Sequence, residues 1–222
     1  MKKSARTEAL EISKRLLAPL INFPVKDAEM AAEMRVAVGK YLVNFYDIVS
    51  NKIAGTELLK CFELARLAGA TLNSMNKVRV VVLAEVPTYN MGEAIINAAI
   101  IFSFVEQSKM ISTMEFKSRV EVDTLMDAMS AIIEEIKLTR ADSFVSSDYQ
   151  SFIFLAAVLI QHMSATERML PRIVKYNMPV HFPALTLANR IYGDGSRSEE
   201  LIAENKAVHP AFMQRDIIAL SS

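Results

Sequence analysis

Apolar side chains recur at steps of three and four residues along most of the chain as far as Leu170, which is the spacing of one face of an α-helix. Between Val78 and Val86 the β-branched residues suit a strand or a helix, and we favour a helix. The pattern predicts a mainly α protein, a helical bundle whose helices have these approximate bounds: Ser4–Leu20, Asp27–Asn51, Gly55–Ser74, Asn90–Ser112, Ser118 through Ile136, and Ser147–Leu170.

Several of these helices carry N-terminal signals in the sequence. Asp27 is a suitable N-cap, because its carboxylate can accept hydrogen bonds from the first free backbone N–H groups. Ser118 and Glu121 have the spacing of a capping box and predict the start of the fifth helix. The polar face of that helix is acidic, and we interpret it as a solvated surface formed by Asp123, Asp127, Glu134 and Glu135.

The fourth predicted helix, Asn90–Ser112, is apolar on nearly all sides. Such a helix lies at the centre of a bundle or against another subunit. The most apolar runs, Ala94–Val105 and Ser151–Ile160, are shorter than the roughly 20 residues that cross a bilayer, so no membrane span is expected. The basic start of the chain is not followed by an apolar segment, so no signal peptide is expected.

Composition changes after Pro171, where prolines and glycines become frequent. We place a domain boundary at about residue 176, with a helical domain over residues 1–175 and a small module over residues 176–222. The module is predicted to have the order strand, helix, helix, strand. Its expected parts are a strand at Val180–Phe182, a helix at Ala184–Tyr192, a turn at Gly193–Gly195, a helix opened by a capping box of Ser196 and Glu199 and ending near Asn205, and a strand at Ile217–Leu220.

Positive and negative side chains are balanced. Lys and Arg number 25 and so do Asp and Glu, which gives a formal net charge of zero. Proteins dedicated to binding DNA or RNA usually carry a basic excess that neutralises phosphates, so direct nucleic-acid binding is not expected. With little charge repulsion and 52% hydrophobic residues, the chain is a candidate for assembly with protein partners.

No motif for catalysis or for metal or cofactor binding is present. The three histidines, His162, His181 and His209, do not have metal-ligand spacing, and the sequence has no phosphate-binding glycine loop and no nucleophile elbow. The single cysteine, Cys61, is flanked by apolar residues and is interpreted as a small buried hydrophobe. We therefore expect a protein that is not an enzyme and has no catalytic residues, metal or cofactor.

One segment near the C-terminus is more specific. Leu187–Asn205, with the run Tyr192-Gly193-Asp194, followed by His209-Pro210-Ala211-Phe212, resembles the C-terminal end of the DNA circularisation protein family of Mu-like phages. The same stretch is similar to a LysM-like module, in which a helix ends in Leu-x-x-x-Asn, here Leu201 and Asn205. The similarity extends upstream to about residue 30 and includes the run Phe116–Arg119.

This resemblance implies a structural component of a phage tail or baseplate, found in the virion and in the host cytoplasm during assembly. Its expected partners are other tail and baseplate proteins and further copies of itself in a ring. Members of the family usually begin with a β-rich domain, whereas this chain is helical from Ser4 onward; a split product, a shortened relative and a fragment are all compatible with that difference. The alternatives are a peptidoglycan-binding module and a tail-assembly chaperone.

The residues of this motif are expected to be structural first and to form an interface second. Asn205 should cap or bridge backbone groups, and Arg197 should pair with Asp194 or Glu200. Tyr192 and Phe212 should close the core of the module, and the alternative is that they anchor a partner. The full set of predicted interface or structural residues is Tyr192, Gly193, Asp194, Arg197, Glu200, Leu201, Asn205, His209, Pro210 and Phe212.

Overall fold

A computed structural model describes residues 3–221 of the chain. Over these residues it has ten α-helices and two β-strands, as the mainly α prediction requires. The elements are α1 (Lys3–Ile21), α2 (Ala28–Val43), α3 (Phe45–Ser50), α4 (Ala54–Leu67), α5 (Leu72–Leu83), α6 (Asn90–Ser112), α7 (Arg119–Arg140), α8 (Ser146–Met169), β1 (Ile173–Asn177), α9 (Ala184–Tyr192), α10 (Ser198–Glu204) and β2 (Asp216–Leu220).

The chain divides into two compact units. The first comprises Met1–Met114 and Ile132–Leu159, and the second comprises Glu115–Ala131 and Ile160–Ser222. Helices α7 and α8 therefore each contribute to both units. The boundary predicted at residue 176 falls inside β1.

The first unit is a helical bundle with α6 at its centre. Helix α6 packs against α1, α4 and α5, and α2 packs against α4. Glu106 of α6 is fully buried. Its carboxylate accepts hydrogen bonds from Arg66 Nε and Lys109 Nζ, each at 2.6 Å, which compensates the cost of burying the charge. Asn97, also buried, binds both the carbonyl and the hydroxyl of Ser143.

Helix α6 is long and apolar enough to cross a membrane by length and composition alone, but 56% of its most apolar window is buried within the protein. A central helix of a bundle has the same properties, because it faces apolar neighbours on several sides. The ion pairs of Glu106 and the bonds of Asn97 fit that central position. Of the two positions expected for this helix, the centre of a bundle is the one that these contacts support.

Two predicted helices are each broken into two. The expected continuous helix to Asn51 is interrupted at Asn44, between α2 and α3. The expected helix to Ser74 stops at Leu67, because Gly69 takes a left-handed conformation (φ +99°). Thr71 then starts α5 by a reciprocal capping box with Ser74.

The predicted N-terminal signals have mixed outcomes. Asp27 caps α2 as predicted, accepting hydrogen bonds from the N–H groups of Glu29 and Met30 at 3.0 Å. The expected capping box at the start of α7 is different in detail, because the carboxylate of Glu121 accepts from the N–H of Lys117 at 2.8 Å. The valine-rich segment is helical, as predicted, from Val78 to Leu83, where α5 ends, and residues 84–86 lie outside the helix.

In the second unit, Arg119 connects the start of α7 to the end of α8. Its backbone N–H donates to the carbonyl of Pro171, and its guanidinium donates to the carbonyls of Leu170 (2.7 Å) and Arg168 (3.3 Å). The last carbonyls of a helix have no partners inside it and carry partial negative charge, so a cation there stabilises the helix end.

The β-α-α-β order predicted for the C-terminal region is present, with β1 and β2 antiparallel and Lys175 opposite Ile218. The predicted position of the first strand is wrong. Val180–Phe182 is irregular, because Pro179 and Pro183 flank it and proline cannot donate to a strand ladder. The strand lies instead at Ile173–Asn177, before this segment.

Candidate functional site

The residues singled out by the sequence motif lie together in the second unit, in the small module formed by β1, α9, α10 and β2. The module has its own apolar core of Ala184, Leu187, Ala188, Leu201, Met213, Ile217 and Ala219. Leu201 of the motif is fully buried in this core. Tyr192 packs against the core from the side, as does Phe182.

Tyr192, Arg197 and Glu200 form one polar cluster beside the core. The guanidinium of Arg197 makes two hydrogen bonds to the Glu200 carboxylate (2.7 and 3.0 Å) and lies 3.7 Å from the centre of the Tyr192 ring. The Tyr192 hydroxyl donates to Glu200 and accepts from the N–H of Leu220, both at 3.2 Å. The expected pairing of Arg197 is therefore with Glu200.

The surroundings of Tyr192 and Arg197 shift the pKa values of these two side chains. Partial burial, and then the nearby Glu200 carboxylate, raise the pKa of Tyr192 above its usual value. The hydrogen bonds to Glu200 raise the pKa of Arg197. Tyr192 and Arg197 therefore keep their protons at neutral pH, and neither of them serves as a base.

Asn205 forms two hydrogen bonds with the backbone of β2. Its Oδ1 accepts from the N–H of Ile218, and its Nδ2 donates to the carbonyl of the same residue, both at 2.7 Å. The Nδ2 group also donates to the carbonyl of Leu201 at 2.8 Å, which closes the end of α10. This is the bridging role expected of Asn205.

The turn between the two helices of the module is shaped by Gly193 and Asp194. Gly193 has a left-handed backbone (φ +72°) and ends α9. The carboxylate of Asp194 accepts from the N–H and the hydroxyl of Ser196, and these bonds lower the pKa of Asp194. The predicted capping box of Ser196 and Glu199 is wrong, because Asp194 caps a short 3-10 turn and α10 begins only at Ser198.

The loop that contains His209, Pro210 and Phe212 runs beside residues 178–184. The carbonyl of Pro210 accepts from the N–H of Ala184 at 2.7 Å. His209 accepts from the N–H of Ala211 through Nδ1, and its ring centre lies 5.8 Å from that of Phe212. Phe212 is 72% exposed, so the expectation that it closes the core of the module is wrong.

Other apolar side chains of the module are exposed as well. We use the name apolar loop surface for the four that are more than half exposed: Val180, Leu185, Val208 and Phe212. Two neighbouring segments carry them, because the N–H of Met213 donates to the carbonyl of Phe182 and the ring of His181 bonds the carbonyl of Met213. Sequence periodicity could not reveal this surface, since three of the four residues lie outside helices.

The remaining candidates for chemistry do not converge. Among residues 3–221, no three His, Cys, Asp or Glu side chains are placed to hold a metal ion. Cys61 lies in the first unit, is fully buried, and burial raises the pKa of its thiol to about 12. A buried thiol with that pKa is a poor nucleophile at neutral pH, in agreement with its interpretation as a small hydrophobe.

Compared with known proteins, the chain matches no protein-family model, and no curated protein sequence matches it significantly.

Proposed function

We propose that this protein is a structural component of a bacteriophage tail or baseplate that acts through protein–protein contacts during virion assembly. The observation that carries the proposal is the contrast within the C-terminal module. The polar motif residues Tyr192, Arg197 and Asn205 are bound to one another or to the backbone of β2, whereas the apolar loop surface faces solvent.

Motif residues used in this way stabilise a scaffold. An exposed cluster of large apolar side chains on a rigid scaffold is typical of a contact site for another protein. The segment that resembles the Mu-like phage family, Leu187–Asn205, includes most of α9, the whole of α10 and the turn between them. The β-α-α-β order with antiparallel strands is also that expected of a LysM-like module.

The first test is quantitative mass spectrometry of purified particles from the host that encodes the chain. The proposal predicts peptides at a fixed, low ratio to the major tail protein. If the protein is abundant in infected cells and absent from finished particles, the structural role is refuted and a tail-assembly chaperone becomes the better explanation.

The role of the apolar loop surface is tested by Phe212→Asp. Because Phe212 is 72% exposed, the substitution should leave the fold intact while weakening incorporation into particles. Leu138→Asp is the matched control, since Leu138 is 84% exposed but belongs to the first unit. Equal incorporation of the two variants would contradict a contact role for this surface.

Copies of the chain are proposed to form a ring in the tail. Native mass spectrometry of the purified protein, alone and with tail proteins from the same particle, should show one defined oligomer. A strictly monomeric protein in both samples would refute the ring while leaving the incorporation test unaffected.

A second candidate function is binding of cell-wall glycan, favoured by the adjacent exposed rings of His209 and Phe212. An exposed aromatic ring can stack on the apolar face of a sugar. Co-sedimentation with purified peptidoglycan, lost in Phe212→Ala, would support this function. If the protein is incorporated into particles but does not co-sediment with peptidoglycan, glycan binding is refuted and only the structural role remains.

A further inference from the structure

The outward backbone groups on the two edges of the small sheet differ in their hydrogen bonds. Side chains occupy part of the outer edge of β2: Asn205 binds the N–H and the carbonyl of Ile218, and the Tyr192 hydroxyl accepts from the N–H of Leu220. Side-chain bonds of this kind prevent another strand from adding to that edge.

The outer edge of β1 is open. The carbonyl of Arg172 accepts from the N–H of Ser221, and the N–H of Met178 donates to the carbonyl of Arg215, both at 2.7 Å. In an antiparallel pair such bonded residues alternate with residues whose backbone groups face outward. The outward groups of β1 are therefore those of residues 173, 175 and 177, and within the described part of the chain these N–H and carbonyl groups have no partner.

Two basic side chains lie along this open edge. Arg172 and Lys175 are both exposed, and β1 itself contains no carboxylate. The nearest acidic side chain on β2, Asp216, accepts a hydrogen bond of 2.6 Å from Asn177. At this end of the sheet lies a hollow of about 480 Å³ that is lined by residues of both strands, among them Lys175, Tyr176 and Asp216.

We propose that the open edge of β1 is a docking site for an extended, acidic segment of a partner protein, which adds to the sheet as a third strand. The outward backbone groups supply the hydrogen bonds, and Arg172 and Lys175 select for carboxylates on the incoming strand. This proposal does not depend on the assignment to a virion, and it concerns a different surface from the apolar loop surface.

A second copy of the chain is a poorer occupant of the same edge. Antiparallel pairing of two β1 strands about their middle residue places Lys175 opposite Lys175 of the other copy. Like charges directly across a strand pair are destabilising, and a lysine in the middle of an edge strand is a common protection against self-association. An acidic strand turns the same lysine into a favourable contact.

The test uses the full chain and a blocked hexapeptide of alternating valine and glutamate as the probe. Binding is followed by chemical shifts and hydrogen exchange of the amides of residues 173, 175 and 177. We expect saturable binding that weakens with added salt, slower exchange at these three amides, and much weaker binding of the same peptide with lysine in place of glutamate.

Two variants of one residue separate backbone pairing from charge. Lys175→Thr removes the charge and keeps the outward N–H, whereas Lys175→Pro removes both and leaves the bonds between β1 and β2 intact. Lys175→Thr should bind the acidic peptide a few-fold less tightly than the original protein, and Lys175→Pro should bind about tenfold or more less tightly than Lys175→Thr.

Several outcomes would overturn the proposal. They are equal binding by the Thr and Pro variants, protection at amides other than the three on the open edge, and no binding of the acidic peptide at millimolar concentration. A dimer of the original protein that Lys175→Pro dissociates would assign the edge to a second copy instead. If Lys175→Pro fails to fold, as judged by circular dichroism, the exchange rates of the three amides with and without peptide decide the matter.

Discussion

Replacing Asn205 by alanine should selectively destabilise the second unit. The side chain is 9% exposed and makes three short hydrogen bonds to backbone groups of Leu201 and Ile218, between 2.7 and 2.8 Å. A hydrogen bond in a folded protein contributes about 0.5–1.5 kcal/mol net, and a buried backbone group left without a partner costs about 1–3 kcal/mol. We therefore expect the free energy of unfolding of this unit to fall by roughly 2–4 kcal/mol.

Hydrogen exchange is the appropriate assay, because the two units need not unfold together and a single melting curve would mix them. The amide of Ile218 should be protected in the original protein and should exchange much faster in Asn205→Ala. The matched control is Asn177→Ala, which removes an exposed asparagine of the same sheet that makes one side-chain bond, to Asp216. That control should lose less than about 1 kcal/mol.

The result that refutes this reasoning is equal behaviour of the two variants. If the Ile218 amide stays protected in Asn205→Ala, then another group or solvent forms hydrogen bonds with the backbone of β2, and the hydrogen bonds of Asn205 are not what stabilises this strand. Loss of protection throughout the first unit as well would show that the effect is not confined to the module.

Three further predictions concern other parts of the chain. Gly92→Ala should destabilise the first unit by about 1–3 kcal/mol, since the added Cβ would lie 2.8 Å from Cδ1 of Ile12. Gly39→Ala should stabilise the same unit by about 0.5–1 kcal/mol, because the space around the added Cβ is open. Chemical denaturation of both variants checks the signs of these two changes. Lys206→Gly should stabilise the module by about 0.5–1 kcal/mol, because Lys206 has a left-handed backbone (φ +48°) that glycine adopts without strain, and slower exchange of module amides would be the evidence. Burial raises the pKa of the Cys61 thiol to about 12, so this thiol should react with a thiol reagent at pH 8 far more slowly in the native protein than in denaturant, and rapid modification of the native protein would contradict the burial. The stability that the neutral thiol contributes should be lost as the pH rises from about 9 to about 12, because the thiol of the unfolded chain ionises first.

The sequence by itself determined the helical class and the positions of the longer helices. Helix α6 begins at Asn90 and ends at Ser112 as predicted, and α8 differs from its predicted bounds by one residue at each end. Such helices can be predicted from the sequence because their apolar residues must face a core at fixed intervals, whichever element packs against them. The N-cap role of Asp27 could be predicted for a similar reason, since the start of a helix needs a local hydrogen-bond acceptor.

Features that depend on contacts between distant residues were decided only by the tertiary structure. Ile173–Asn177 became a strand because β2, far along the chain, pairs with it, while the predicted strand at Val180–Phe182 has prolines on both sides. The motif around Tyr192 gave no sign that Phe212 would be exposed, because exposure depends on which other segments cover a loop. The open edge of β1 was likewise invisible in the sequence, since a strand's free backbone groups are known only once every neighbouring segment has its place. Interactions between residues close in sequence determine the secondary structure of a segment, whereas tertiary packing determines which of its backbone and side-chain groups remain available for a partner.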